Sequence, residues 1–289
     1  MQGPPSDAQS GLLRHVKALE RLKGPARLKE LRFRLEAQGT AFSRQEQCFP
    51  RISNLIVDFS SSPRDKYLLF SAHQDAVNSS PGANDNASSI AVLIELCRRL
   101  KGRDLPVRVV FFDREEAWFR TPLLRLGLLG SFSYVLGNDV KRVLAAFNLE
   151  FCGLGDSLAI WPVKPREMTL PAVRYAQRSA SLLNVPSRSG HLPWVFLSSD
   201  HLPFRLAGVR NSVTLSLLPA EQLPVLEAFV RSLSVPKLLS GHRPPLPGVL
   251  GRIHKSVDDS STLSEDSLEL MVSLLVQIIE LYPCSPDSR

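Results

Sequence analysis

Two histidines and a handful of carboxylates carry the chemistry open to this sequence. His73 and Asp75 follow the apolar run Tyr67 to Phe70, and Asp85 stands further along the same Ser-, Pro-, Gly- and Asn-rich loop. Glu115 and Glu116 follow a second apolar run, Val107 to Phe112. Glu150 ends a third, Val143 to Leu149, and His254 lies just beyond a loop rich in proline and glycine. Imidazoles and carboxylates with no thiolate among them form a nitrogen-and-oxygen donor set. Such a set suits zinc, or a related divalent ion, in a catalytic site rather than a structural one. Taken alone, the first loop reads equally well as a polar turn with a stray histidine. Ligand-type residues at four separate loops or strand ends favour the metal.

These residues need a sheet to hold them, and the carboxyl ends of strands are where open α/β sheets place their sites. The segments 51–59, 66–72, 107–112, 143–149, 158–161, 195–197 and 212–217 read as strands. Several are apolar throughout, as in a sheet covered on both faces. Apolar spacing of three and four residues predicts helix over 7–38, interrupted at Gly24-Pro25, and over 90–100, 170–183, 222–239 and 265–282. The first two strands are expected to pair as a hairpin at the sheet edge. Thr262 with Glu265 reads as a capping box for the last helix. Strands alternate with helices, and no internal repeat or long low-complexity linker is visible. The expectation is an α/β fold: a single globular domain with a mixed, mostly parallel central sheet flanked by helices. It would span 1–289, with 1–45 a helical N-terminal segment packing on the rest.

The 289 residues are 44% hydrophobic and 22% charged, ordinary proportions for a globular protein. No run of about 18 apolar residues is present, so no membrane partner is expected. The first ten residues lack a charged start followed by an apolar core. That predicts a cytoplasmic protein, or a secreted one if the chain was trimmed. The net charge of +7 arises largely in the first 45 residues, on helical segments. No nucleic-acid motif accompanies it, so no nucleic-acid partner is expected. Cys48, Cys97, Cys152 and Cys284 are widely spaced, which argues against a thiolate zinc site. Cys97 and Cys152 sit inside apolar runs and are expected to be buried free thiols.

The order of the motifs resembles the co-catalytic di-zinc aminopeptidase family, which is related to glutamate carboxypeptidases and glutaminyl cyclases. The resemblance covers about residues 50 to 282. It is carried by His73-Gln-Asp75, Pro81 to Ser89, Glu115-Glu116, Asn148 to Gly153, Ser199 to Phe204 and Arg252 to Asp259. It implies two zinc ions. Asp85 would bridge them, His73 and Glu150 would complete one, and Glu116 and His254 the other. Glu115 would act as general base, and Asp75 would hold the His73 imidazole in its binding tautomer. Asp200 and His201 match a segment that supports the site and its substrate.

Three departures from the family pattern stand out. Glu150 replaces the usual aspartate. The stretch after Glu116 is longer than in the aminopeptidases and shorter than in the cyclases, which places Trp118 and Phe119 as residues that shape the substrate pocket. Val209 replaces an aromatic residue that some members use near the reacting carbonyl.

The reading that follows is a zinc-dependent hydrolase, an aminopeptidase that removes N-terminal residues from a peptide substrate through a metal-activated water. One alternative is a glutaminyl-cyclase-like acyltransferase with one zinc; the intact His73 argues against it. Another is a non-catalytic binding relative, against which the full set of ligand-type residues stands.

Overall fold

In the computed structural model, the residues described are 11–62, 66–116, 119–120, 125–190, 199–232, 245 and 247–282. Two helices, α1 (Leu13–Leu19) and α2 (Gly24–Ala37), precede β1 (Ser43–Gln47), β2 (Ile52–Asp58) and β3 (Tyr67–His73). Next come α3 (Ser88–Leu100), β4 (Val107–Phe112), the short strands β5 (Phe119–Arg120) and β6 (Arg125–Leu126), and α4 (Leu129–Gly137). The rest is β7 (Val143–Leu149), β8 (Ser157–Pro162), α5 (Pro171–Leu182), β9 (Ser187–Ser189), α6 (His201–Leu206), β10 (Ser212–Leu218), α7 (Leu223–Ser232) and α8 (Glu265–Leu281).

Eight strands form one sheet in the order β1-β2-β4-β3-β7-β10-β8-β9. Its centre, β4-β3-β7-β10, is parallel, and antiparallel pairings join β1 to β2, β2 to β4 and β10 to β8. The expected mixed, mostly parallel sheet is present. Its central strands are apolar on both sides because both faces are covered. Leu68 and Phe70 of β3 join the large core under α1, α2, α3, α5 and α8, while Tyr67 and Leu69 join the smaller core under α4 and α6. That is the two-residue alternation of a strand, with each face buried. From β3 the chain moves to β4 on one side and later to β7 on the other. The carboxyl ends of these three strands therefore open onto one crevice, the place where such sheets hold ligands.

Two local expectations are corrected and a third is sharpened. The predicted hairpin between the first two apolar strands is absent: β2 pairs with β1 and β4, and β3 lies beyond β4. The hairpin is β1–β2, and β1 has the wholly polar sequence Ser-Arg-Gln-Glu-Gln, a solvated edge with no apolar alternation to reveal it. The helical pattern does break ahead of Gly24-Pro25, but the second helix takes both residues into its first turn, beginning at Gly24 rather than Ala26, because proline is tolerated in a first turn whose N–H groups have no partner. The last helix is capped by Ser264, whose side chain accepts the Ser267 N–H. Glu265 reaches instead to the start of α1, accepting the Leu12 N–H and, at 2.8 Å, that of Leu13. The predicted strand 195–197 and residues 233–239 of the predicted helix lie outside the described residues. Cys97 and Cys152 are buried free thiols, as expected, and burial pushes the Cys152 thiol up to about 12. No helix among the described residues is long and apolar enough to cross a membrane.

Candidate metal centre

The crevice collects the ligand-type residues. His73 is the last residue of β3, Glu115 and Glu116 lie just past β4, and Glu150 directly follows β7. Asp85 sits in an irregular turn, Ala83–Ala87, that leads into α3, with its own backbone non-helical (φ −112°, ψ 85°), and His254 follows the 3-10 turn Gly248–Arg252. The Asp85–Asn86 peptide bond is cis.

Asp85 stands between two donor groups, one on each carboxylate oxygen. Its Oδ1 lies 3.2 Å from His73 Nε2, which is also 3.5 Å from Glu150 Oε2. Its Oδ2 lies 3.4 Å from His254 Nε2, which is 2.9 Å from Glu116 Oε1. Zinc bonds of about 2.0–2.2 Å in tetrahedral geometry put neighbouring donors about 3.3–3.5 Å apart, so the donor spacing here fits such an ion. One ligand atom each from His73, Asp85 and Glu116 lies within 4.8 Å of the others. The side chains of His73, Asp85, Glu116 and Glu150 are less than a tenth exposed, whereas that of His254 is 33% exposed. His254 is thus the most accessible of the five.

Electrostatics agree that the cluster wants positive charge. Burial works against a charged His73, yet the Glu150 charge and hydrogen bonds to Asp75, Asp85 and Glu150 hold its imidazole well above the usual range. Burial would raise Asp85, but the His73 hydrogen bond and the charges of His73, His254 and Arg27 draw it below its ordinary value. Burial and the Asp85 charge push Glu116 up. An imidazole held charged among crowded carboxylates marks a site that favours a cation in its midst.

A second layer of side chains aims these ligands. Asp75 lies behind His73, its Oδ1 3.3 Å from Nδ1. The same carboxylate accepts the backbone N–H groups of Glu115 and Glu116, each at 3.0 Å. One side chain therefore ties the imidazole to the Glu-Glu loop. Glu150 is held by the Ser199 hydroxyl at 2.5 Å and the Asn148 amide at 3.4 Å. Asp258 accepts the backbone N–H groups of Asn84 and Asp85. Gly82, at φ 72°, turns the chain into Asp85; a Cβ there would come within 2.9 Å of the Ala76 side chain. The Gly82 carbonyl in turn accepts both terminal nitrogens of Arg27 at 3.3 Å. Burial lowers Arg27 to about 10, against the pull of Asp75, Asp85, Asp258 and Glu116.

The sequence profile of Peptidase family M28 matches residues 54–279. The chain belongs to Peptidase family M28. Over 164 residues it is 33% identical to aminopeptidase YwaD of Bacillus subtilis (strain 168), which covers 50% of this chain and 31% of that protein. A zinc aminopeptidase from Bacillus subtilis superposes with a TM-score of 0.57 at 22% identity, covering 81% of this chain and 52% of that one. The M28 chain described here thus spans about half the length, or less, of these aminopeptidases. A Bacteroides thetaiotaomicron glutaminyl cyclase bound to N-acetylhistamine matches at both ends, covering 97% of this chain and 100% of that one, with a TM-score of 0.66 and 17% identity. These structural likenesses establish the zinc-aminopeptidase type of α/β fold.

The remaining expected site residues of this M28 chain fall in three places. Glu115 is buried at the centre's edge, with its backbone on Asp75. Asp200 and His201 lie in the interior beneath Glu150 and do not line an open surface: Asp200 accepts the Ser131 hydroxyl at 2.5 Å, and His201 Nδ1 is 2.8 Å from the Thr214 hydroxyl. Burial pushes the Asp200 carboxyl up to about 7 and His201 down to about 4. Phe119 belongs to the backbone of β5, and Trp118 lies outside the described residues.

Sequence reasoning missed Asp258 and Arg27. Arg27 had a signal: it occupies the buried stripe of α2 with Leu31 and Leu35, at four-residue spacing. A charge on an apolar stripe marks a partner inside the protein. Asp258 had none beyond its place in an Asp-rich segment.

Proposed function

We propose that this M28 protein is a zinc-dependent aminopeptidase that removes N-terminal residues from peptides, with two metal ions in the centre. The observation that carries the proposal is the division of labour at Asp85. Its two oxygens face two separate sets, His73 with Glu150 and His254 with Glu116. Two cations held close would need a shared anion between them, and Asp85 would supply it. When bound, zinc lowers the pKa of water and polarises a carbonyl.

In this reading Glu115 takes the proton of the attacking water and hands it to the departing amine. Asp75 keeps His73 Nδ1 protonated, so that Nε2 is free to act as a ligand, and fixes the Glu-Glu loop by its two amide contacts. Ser199 and Asn148 orient Glu150. They make up for the extra methylene of glutamate where the family mostly has aspartate. Trp118 and Phe119 are assigned to the substrate pocket by the family resemblance alone, and Asp200 and His201 act from the interior without touching substrate. The whole chain acts as one metallopeptidase-like domain, with the N-terminal helices part of it.

A second reading is favoured by the end-to-end fold likeness to glutaminyl cyclases: acyl transfer at a single zinc. Elemental analysis of the purified protein, followed by assays on aminoacyl and N-terminal glutaminyl substrates, separates the two. About two zinc ions per chain with release of N-terminal residues supports the peptidase. One ion with cyclisation of glutaminyl peptides supports the cyclase. A folded, metal-free protein inert to both sets sinks both readings.

A further inference from the structure

A cleft of about 820 Å³ adjoins the centre, between the start of α2 and the tip of the β1–β2 hairpin. Its floor is formed by the loops after β3 and β4, and Asp75 and Glu116 border it. The volume falls within the range of small-ligand pockets, about 300–1,000 Å³.

The charges along its wall are equal in number but not in pairing: four cations stand beside the carboxylates of Glu46, Asp75, Asp113 and Glu116. Lys23, Arg44, Arg51 and Arg114 line it. Arg44 is answered by Glu46 on the same strand. Asp75 and Glu116 belong to the ligand-type cluster, and Asp113 accepts the Ser53 N–H at 3.0 Å. Among the described residues Lys23, Arg51 and Arg114 make no ion pair. Lys23 Nζ donates to the Ser80 carbonyl at 2.6 Å, and Arg114 Nε to the Arg51 carbonyl at 2.6 Å. Cations without an ion-pair partner in a concave wall attract anions, and guanidinium groups are built for carboxylates. Leu28, Ile52 and Val77 add apolar surface to the same cleft, which a bare inorganic anion cannot use.

We propose that this cleft binds the carboxylate of a small, partly apolar organic acid, with Arg51, Arg114 and Lys23 as its anchors. The acid has two possible sources. It is either the downstream end of the peptide being cleaved, which rests on the aminopeptidase reading, or a separate small acid bound beside the centre.

Titration calorimetry on the metal-loaded full chain tests the proposal. The probes are the tripeptide Ala-Ala-Asp, its uncharged counterpart Ala-Ala-Asn-amide, and N-acetylaspartate. They are applied in a Glu115→Gln background to suppress turnover, with and without Arg51→Glu, Arg51→Lys or Lys23→Gln. The acid peptide is expected to bind about tenfold or more tighter than the amide, with Arg51→Glu erasing the difference and Arg51→Lys keeping part of it. If the two peptides bind alike while N-acetylaspartate binds in an Arg51-dependent way, the cleft takes a separate acid. If no acid probe responds to Arg51→Glu or Lys23→Gln, in variants whose melting temperature is unchanged, the proposal is overturned. Its fate is separable from that of the peptidase reading. Arg51-dependent binding in a protein that hydrolyses no peptide removes the peptidase and leaves the cleft. Hydrolysis without any Arg51-dependent binding does the reverse.

Discussion

The carboxylate of Asp258 accepts the backbone N–H of Asp85 at 3.2 Å. A charge outside the donor set thus fixes the residue that joins its two halves. Asp258 holds the preceding Asn84 N–H as well, at 2.8 Å, and takes the Ser80 hydroxyl at 3.4 Å. It is the hub of the turn that delivers Asp85. Asp258→Ala removes these anchors without removing a donor. Outer partners of metal ligands typically contribute about 10–100-fold in affinity. Zinc affinity, measured by competition with a chromophoric chelator, is expected to fall by that factor in Asp258→Ala and by less in Asp258→Asn. Unchanged affinity in both would remove Asp258 from the centre.

Glu115 and Glu116 are neighbours in sequence with different expected losses. Glu116 Oε1 lies 2.9 Å from His254 Nε2, within the donor group. Glu116→Gln is expected to lower the zinc content per chain together with activity. Glu115→Gln is expected to keep the zinc and reduce kcat by about 10²–10⁴, the usual contribution of a positioned general base. Elemental analysis beside steady-state kinetics reads both. Loss of zinc from Glu115→Gln would recast Glu115 as a ligand.

The parallel heart of the sheet was legible because burial on both faces leaves near-continuous apolar runs, broken only by Arg108 in Val107 to Phe112 and by Asn148 in Val143 to Leu149. The gathering of His73, Asp85, Glu116, Glu150 and His254 into one cluster was legible because each sits at a strand end or loop with few other roles for such a residue. What escaped has a physical reason in each case. β1 is polar because it is the solvated edge. Strand order is set by crossovers that leave no local trace, so β3 was placed beside β2 when β4 lies between them. Asp258 acts on backbone amides, which any sequence supplies. Arg27 read as one more cation of a solvated helix, although it is fully buried.

Arg27 is expected to matter most when the metal is absent. Its guanidinium donates to the Leu19 and Gly82 carbonyls and lies in the field of Asp75, Asp85, Asp258 and Glu116. Zinc and Arg27 both offset that negative charge. Breaking a buried charge arrangement by removing one partner costs about 3–5 kcal/mol. Arg27→Leu should approach that loss in chelator and lose clearly less with zinc bound. Denaturant midpoints of wild type and variant, with and without zinc, measure it. An equal loss in both conditions would mean that Arg27 only packs.

Acid should destabilise the fold through two histidines outside the donor set. Burial holds His15 and His201 at about 4, below the ordinary value of 6.5; for His15 the nearby Arg34 and Arg14 add to the effect. The unfolded chain binds protons at these positions near pH 6.5, and the folded one resists until about 4. Stability is therefore full above pH 6.5 and drains away as the pH falls between the two values. By linkage, the loss from pH 7.5 to 5 is about 2 kcal/mol for each histidine. His15 is tested first, because its ring lies 3.3 Å from Arg34 and it is not one of the five clustered ligand-type residues. Urea midpoints at the two pH values, in chelator to keep zinc out of the balance, should converge by about that amount in His15→Leu relative to wild type. An undiminished pH dependence in the variant would show that His15 already carries its proton in the folded protein.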